Sequence, residues 1–182
     1  MRRRLSRGET IFRQGQPVMA LHVVSRGDVK IVRLRDDGTE QILRLAGPGD
    51  LIGYRALAAG ENYVAHAVAL TDVEVVGLPV DEIKREMAAA GPWLRDLLLK
   101  LSRDLREAED RIEELSTSSV KDRTADLLRR LADPDTGFLR VDLKREELAS
   151  LAGTATESFI RAMNLLKKEG IIETKGRRIR VI

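Results

Sequence analysis

The 182-residue chain contains no cysteine, and only 3% of its residues are aromatic. The first absence excludes disulfides, cysteine-ligated zinc, thiolate-held iron–sulfur clusters and thiol catalysis together. Two histidines, His22 and His66, leave little material for a multi-histidine metal site. No metal and no cofactor is therefore expected. No apolar run nears the ~20 residues that a membrane-spanning helix needs. Met1-Arg2-Arg3-Arg4 is basic, but no apolar stretch or small-residue cleavage site follows. No signal peptide is expected, and the chain reads as cytoplasmic.

What remains is 43% hydrophobic and 34% charged, on a chain long enough to bury a core without staples. The net charge of +3 is unevenly spread. Residues 1–116 carry 18 basic and 19 acidic side chains, whereas residues 117–182 carry 14 and 10. A positive excess in the C-terminal third suits a polyanionic partner there, although a solvated surface would give the same count.

The first ~80 residues read as short strands, because turn signals recur at short intervals. Leu21 to Val24 ends at Arg26-Gly27, and Val29 to Leu34 ends at Asp36-Asp37-Gly38, a hairpin signal. Gln41 to Leu45 ends at Gly47-Pro48-Gly49-Asp50, and further strands are expected at Ala65 to Leu70 and Val73 to Leu78. Such a series favours an antiparallel roll or sandwich. Strand order is not readable from periodicity.

From Val80 the period changes. A short helix is expected from Val80 to Ala90, closed by Gly91-Pro92, and a long one from about Trp93 to Leu115. Its apolar residues Leu94, Leu98, Leu101, Leu105, Ala108, Ile112 and Leu115 alternate spacings of 4 and 3. That is a heptad seam, which points to parallel dimerisation, while packing of the helix on its own roll is the alternative. The small hydroxylated run Ser116-Thr117-Ser118-Ser119 reads as a boundary. Ser119 with Asp122 resembles a capping box, so a new helix is expected from Val120 to about Ala132. The expected segments are 1–91, a β-roll; 92–116, a dimerisation helix; and 117–182, a second domain.

Residues 145–164 have the spacing of a helix-turn-helix. Arg145 to Ala152 forms the first helix, with small Ala149 where the helices cross and Gly153 at a turn needing positive φ. In the second, from about Thr156, Phe159, Ala162, Met163 and Leu166 face inward. Thr156, Glu157, Ser158, Arg161 and Asn164 face away from them. A Glu accepts from the cytosine amino group and an Arg donates two bonds to guanine. Glu157 and Arg161 are four apart and share a face, though a solvated ion pair would do the same. Ile171 to Thr174, Lys175-Gly176 and Arg177 to Ile182 then read as a β-hairpin with a basic tip, the wing of a winged helix-turn-helix. A charged edge strand that only resists aggregation is the alternative.

From end to end the chain resembles the Crp–Fnr superfamily of bacterial transcription regulators. Gly15, Gly27, Gly38, Gly49-Asp50 and Gly53, the long central helix and the winged C-terminus carry the resemblance. It implies an α+β fold: an antiparallel β-roll sensor (double-stranded β-helix or jelly roll), a dimerisation helix and a winged helix-turn-helix domain. It implies base reading by Glu157 and Arg161, with Thr156 where the cyclic-AMP receptor protein has a further base-reading Arg. Lys121, Arg145, Thr154, Ser158, Lys175 and Arg177 fall at or near backbone-contacting positions, which supply affinity without sequence information.

The sensor half departs from the pattern. Cyclic-nucleotide binders of this family follow the Gly-Asp stretch with Gly-Glu, then an Arg-Ser or Arg-Thr pair some ten residues on. Here Gly53 precedes Tyr54, and the expected Arg-Ser region reads Tyr63-Val64-Ala65. Both charged anchors are missing, so cyclic AMP control is not expected. Tyr54, Arg55, Tyr63 and His66 are the polar candidates for lining an effector pocket, with no effector identified.

The reading is thus a homodimeric, sequence-specific regulator of transcription on a pseudo-palindromic site in double-stranded DNA, and not an enzyme. The resemblance also implies RNA polymerase as a partner, through Asp36-Asp37 or the Asp133 to Gly137 loop. Alternatives are a ligand-binding module acting on a protein partner, and an enzyme on a cupin-like roll. The isolated histidines argue against the second.

Overall fold

The computed structural model describes residues 1–89 and 91–182. Two compact units are present, Met1–Ala108 and Glu109–Ile182.

The first unit is built on eight strands: β1 (Arg2–Leu5), β2 (Thr10–Phe12), β3 (Ala20–Arg26), β4 (Val29–Leu34), β5 (Glu40–Ala46), β6 (Leu51–Ile52), β7 (His66–Ala69) and β8 (Val73–Pro79). Two four-stranded sheets result, in the orders β1-β8-β3-β6 and β2-β7-β4-β5, with every pairing antiparallel. Strands distant in sequence are neighbours, as in a roll. Its interior is small and β-branched, with Val24, Val29, Ile52, Ala67 and Val75 wholly buried. β3 is buried on both faces: Val24 belongs to the interior and Leu21 to a second cluster with Tyr54, Ile83 and Leu97.

Strands β1, β2 and β6 and a short helix α1 (Tyr54–Ala59) are not anticipated by the sequence pattern. They are two to six residues long, too short to show a period, and β1 is three exposed arginines before one buried leucine. Helix α2 (Val80–Ala88) follows β8; the expected end at Ala90 lies outside the described residues.

Helix α3 (Pro92–Thr117) begins in the first unit and ends in the second. Near its start, Trp93, Leu97 and Leu101 pack with Tyr54 and Leu21 of the roll. Leu98, Leu105, Ala108, Ile112 and Leu115 are exposed, and Leu94 is half-buried. The seam therefore divides: Leu94 and Leu101 are half-buried, and the five exposed residues form an apolar stripe. The helix also runs past the expected boundary. Ser116 Oγ donates to the carbonyls of Ile112 and Glu113, and Thr117 Oγ1 to that of Glu113. Back-bonding keeps both hydroxyl residues helical and leaves Ser118-Ser119 as the break.

In the second unit, α4 (Val120–Leu131) starts at Ser119, whose Oγ accepts from the Asp122 amide at 3.2 Å and donates to its carboxylate at 2.6 Å. Helices α5 (Arg145–Leu151) and α6 (Thr156–Lys168) and a hairpin of β9 (Ile172–Lys175) and β10 (Arg178–Val181) complete it. No helix among the described residues is long and apolar enough to cross a membrane.

Candidate nucleic-acid interface and effector residues

Helices α5 and α6 are held by apolar residues at the spacing that the sequence displays. Leu148, Ala149, Phe159, Ala162, Met163 and Leu166 are all buried. Gly153 takes φ +64° at the turn, and a β-carbon there would stand 2.5 Å from Leu115 Cδ2. The turn is also held by two side chains that sequence reasoning passed over. Arg111 Nη2 donates to the Leu151 carbonyl at 2.7 Å. Arg123 donates to the carbonyls of Ser118 at 2.6 Å and Ala152 at 3.2 Å. These bonds tie the turn that leads into α6.

On α6, Glu157 and Arg161 are exposed while Thr156 and Ser158 are half-buried. Arg161 Nη2 donates to Ser158 Oγ at 2.9 Å, and no ion pair joins it to Glu157 among the described residues. The simple i,i+4 ion pair is thus not formed. Glu157 keeps its acceptor oxygens and Arg161 most of its donors for an outside partner.

The wing adds positive charge. Lys175 and Arg177 are exposed on either side of Gly176, which has φ +60°. Arg145 Nη2 donates to the Arg177 carbonyl at 3.2 Å, tying the start of α5 to the tip. Burial, then the charge of Arg177, lowers the pKa of Arg145. Behind the tip lies a groove of about 410 Å³ lined by Phe138, Arg140, Asp142, Arg145, Arg177 and Arg178, among others. The Arg178 guanidinium stacks over the Phe138 ring at 4.1 Å, a cation–π contact that pre-orients it. Arg140 and Arg178 have no signal in the sequence beyond general basicity. Of the other expected backbone contacts, Lys121 is paired with Glu169 at 2.9 Å, a bond that raises its pKa. Thr154 donates its amide to the Ala149 carbonyl at 3.0 Å, within the turn.

In the roll the four candidate effector residues do not all bond the same partner. Tyr54 and Arg55, on α1, both bond Asp104 of α3. Tyr63 lies in the roll interior, stacked 3.9 Å from Phe12, with its hydroxyl donating to the Ala20 carbonyl at 2.6 Å. Its ring stands 2.9 Å from where a β-carbon on Gly53 would be, and φ of +89° independently favours glycine there. Half-buried His66 opens β7 and accepts from the Gln14 amide through Nδ1 at 3.4 Å.

The acidic turns named as polymerase contacts use part of their charge locally. Asp37 accepts from both the Thr39 hydroxyl and amide, and Asp133 from both those of Thr136. These bonds hold both carboxyls below their usual pKa. Among the described residues, no three His, Cys, Asp or Glu side chains gather as metal ligands.

Comparison with known proteins agrees with the geometry of both units. Residues 2–90 match the cyclic nucleotide-binding domain family, and residues 122–182 match the Crp-like helix-turn-helix domain family. The chain is 33% identical over 171 residues to the cyclic AMP receptor protein of Thermus thermophilus, covering 94% of this chain and 79% of that protein. It is 31% identical over 179 residues to a CRP-like cAMP-activated global transcriptional regulator of Mycobacterium tuberculosis, covering 95% and 80%. A crystal structure of a Thermus thermophilus transcriptional regulator superposes with a TM-score of 0.82 at 29% identity, over 100% of this chain and 93% of that one. A roll with a Crp-like helix-turn-helix, matched along nearly its whole length by such relatives, belongs to the Crp–Fnr family of DNA-binding transcription regulators.

Proposed function

We propose that this chain regulates transcription as a homodimer on a pseudo-palindromic DNA site, without cyclic AMP and without catalytic activity. The carrying observation is the outward face of α6, where Glu157 and Arg161 stand exposed over a fully buried apolar side. The basic wing beside α5 supplies phosphate contacts through Arg145, Lys175 and Arg177, and Lys121, Thr154 and Ser158 add polar ones. A second copy covers the stripe of Leu98, Leu105, Ala108, Ile112 and Leu115, since a run of exposed leucines at heptad spacing is costly in water. Two recognition helices then enter successive major grooves about 34 Å apart. Work on DNA places the protein in the cytoplasm, with RNA polymerase as a further partner.

Independence from cyclic AMP rests on positions 54 and 63. Both are tyrosines buried by the fold, and neither presents a charge to a ribose or a cyclic phosphate. Fluorescence anisotropy with the dialysed protein tests the whole reading. Clear preference for an inverted repeat over random duplex is expected, unchanged by cyclic AMP. Equal binding of both duplexes would overturn it. Ile112→Glu, which places charge in the stripe, is expected to yield monomer in sedimentation and to weaken operator binding.

A further inference from the structure

One heavily bonded charge in the first unit is a carboxylate that the proposed function does not use. Asp104 lies on α3 with its side chain only 6% exposed. Its Oδ2 accepts from the Tyr54 hydroxyl and from Arg55, at 3.0 Å from Nη2 and 3.3 Å from Nε. Its Oδ1 accepts from Lys100 Nζ at 2.9 Å. Both Arg55 and Lys100 also lie over the Tyr54 ring, 6.0 Å and 5.4 Å from its centre. A third cation, half-buried Arg44 of β5, shares the field of Arg55, Asp104, Asp50 and Glu107. Two cations from two elements, Arg55 and Lys100, thus bond one buried acid, whose pKa burial nonetheless raises. Arg44 acts on it through its charge and donates to the Leu51 carbonyl at 3.5 Å. The two other acids contribute differently: Asp50 is engaged by the Gly47 amide at 2.8 Å, and Glu107 is exposed.

This is the composition of an anion site. Arginine and lysine donors beside a tyrosine hydroxyl recognise carboxylate or phosphate oxygens, and burial strengthens the bonds. The anion present belongs to the protein itself. We infer that the Asp104 carboxylate is an internal ligand, filling a basic site in the roll that would otherwise take an anionic effector, and so holding α1 on α3 with no small molecule bound. Asp104 stands between Leu101 and Leu105, so the bonds that hold it also fix which way the leucine stripe faces. Removing the carboxylate leaves like charges clustered and unpaired, a costlier state than either the filled site or an apolar one. An external anion then regains an affinity that the native side chain denies it.

The inference rests on the proposed regulator and adds how it escapes an effector. The probe is inorganic phosphate, compared with chloride at equal ionic strength, on the full-length protein. Melting temperature is read for wild type, Asp104→Ala and Asp104→Asn, the last keeping shape while losing charge. Wild type is expected to show no phosphate-specific shift. Both variants are expected to melt lower and to recover at least half of the loss in millimolar phosphate. In Asp104→Ala/Arg55→Ala that recovery should vanish. Should Asp104→Ala fail to fold, Asp104→Asn alone decides. A variant that melts like wild type, or that phosphate does not rescue, overturns the inference. Equal phosphate shifts in wild type and variant overturn it as well. None of these readouts involves DNA, so failure of the operator titration would strike the proposed function alone.

Discussion

Leu115 fills the space in which a β-carbon on Gly153 would stand. The glycine thus answers two demands at once, a positive φ and a close approach from the end of α3. Gly153→Ala is expected to destabilise the fold by about 1–3 kcal/mol, the usual strain of a non-glycine residue in the left-handed region when crowding is added. Urea unfolding measures it. In a Leu115→Ala background the crowding part should be relieved and the backbone part retained, giving a non-additive cycle. Equal losses in both backgrounds would dissociate Leu115 from the turn.

Glu157→Ala is expected to relax preference at one base pair of each half-site, at a cost of about 1–3 kcal/mol for the preferred base. Competition titrations with single-base operator variants measure it. Uniform weakening on every sequence would instead give Glu157 a role in folding.

Arg178, poised over Phe138, predicts a different signature. Arg178→Ala should weaken binding by a similar factor on operator and random duplex. The slope of log affinity against log salt should fall by about 1 for each phosphate that is no longer neutralised. An unchanged slope would leave the wing groove outside the DNA interface.

His22 predicts acid sensitivity. Burial, with Arg3 nearby, lowers its pKa from 6.5 to about 4, and its Nδ1 has no partner among the described residues. The folded state therefore holds neutral imidazole, while the unfolded chain takes up a proton below about pH 6.5. Stability from this group is complete above pH 6.5 and falls as pH drops toward 4, by about 3 kcal/mol over the window. His22→Leu should flatten that part of the stability–pH curve. Parallel curves for wild type and variant would exclude His22 as the cause.

Much of the winged unit was legible because its pattern is local. Phe159, Ala162, Met163 and Leu166 repeat at helical spacing, and Gly153 and Ser119 mark turn and cap by their chemistry. The roll was legible only as a series of strands. Its order depends on pairings such as Arg2 with Val76, which no local period encodes. The Asp104 cluster shows the same limit. Lys100 and Asp104 are four apart and visible as a helix pair, whereas Tyr54 and Arg55 reach that carboxylate across about 50 residues. Tyr54, Arg55, Tyr63 and His66 are candidates in the sequence because they stand at or beside the family's anchor positions. The fold sends the first two to α3, the third into the interior and the last to a strand end.

The stacking of Tyr63 on Phe12 makes position 63 intolerant of charge. Tyr54→Glu and Tyr63→Arg would each set a charge into a packed site. The arginine would enter a site now closed by an aromatic ring, and the glutamate would face Asp104 as a second negative charge. Each exchange alone costs stability before any ligand can offset it. Positions 54 and 63 are thus locked in sequence by packing, because both rings serve as core.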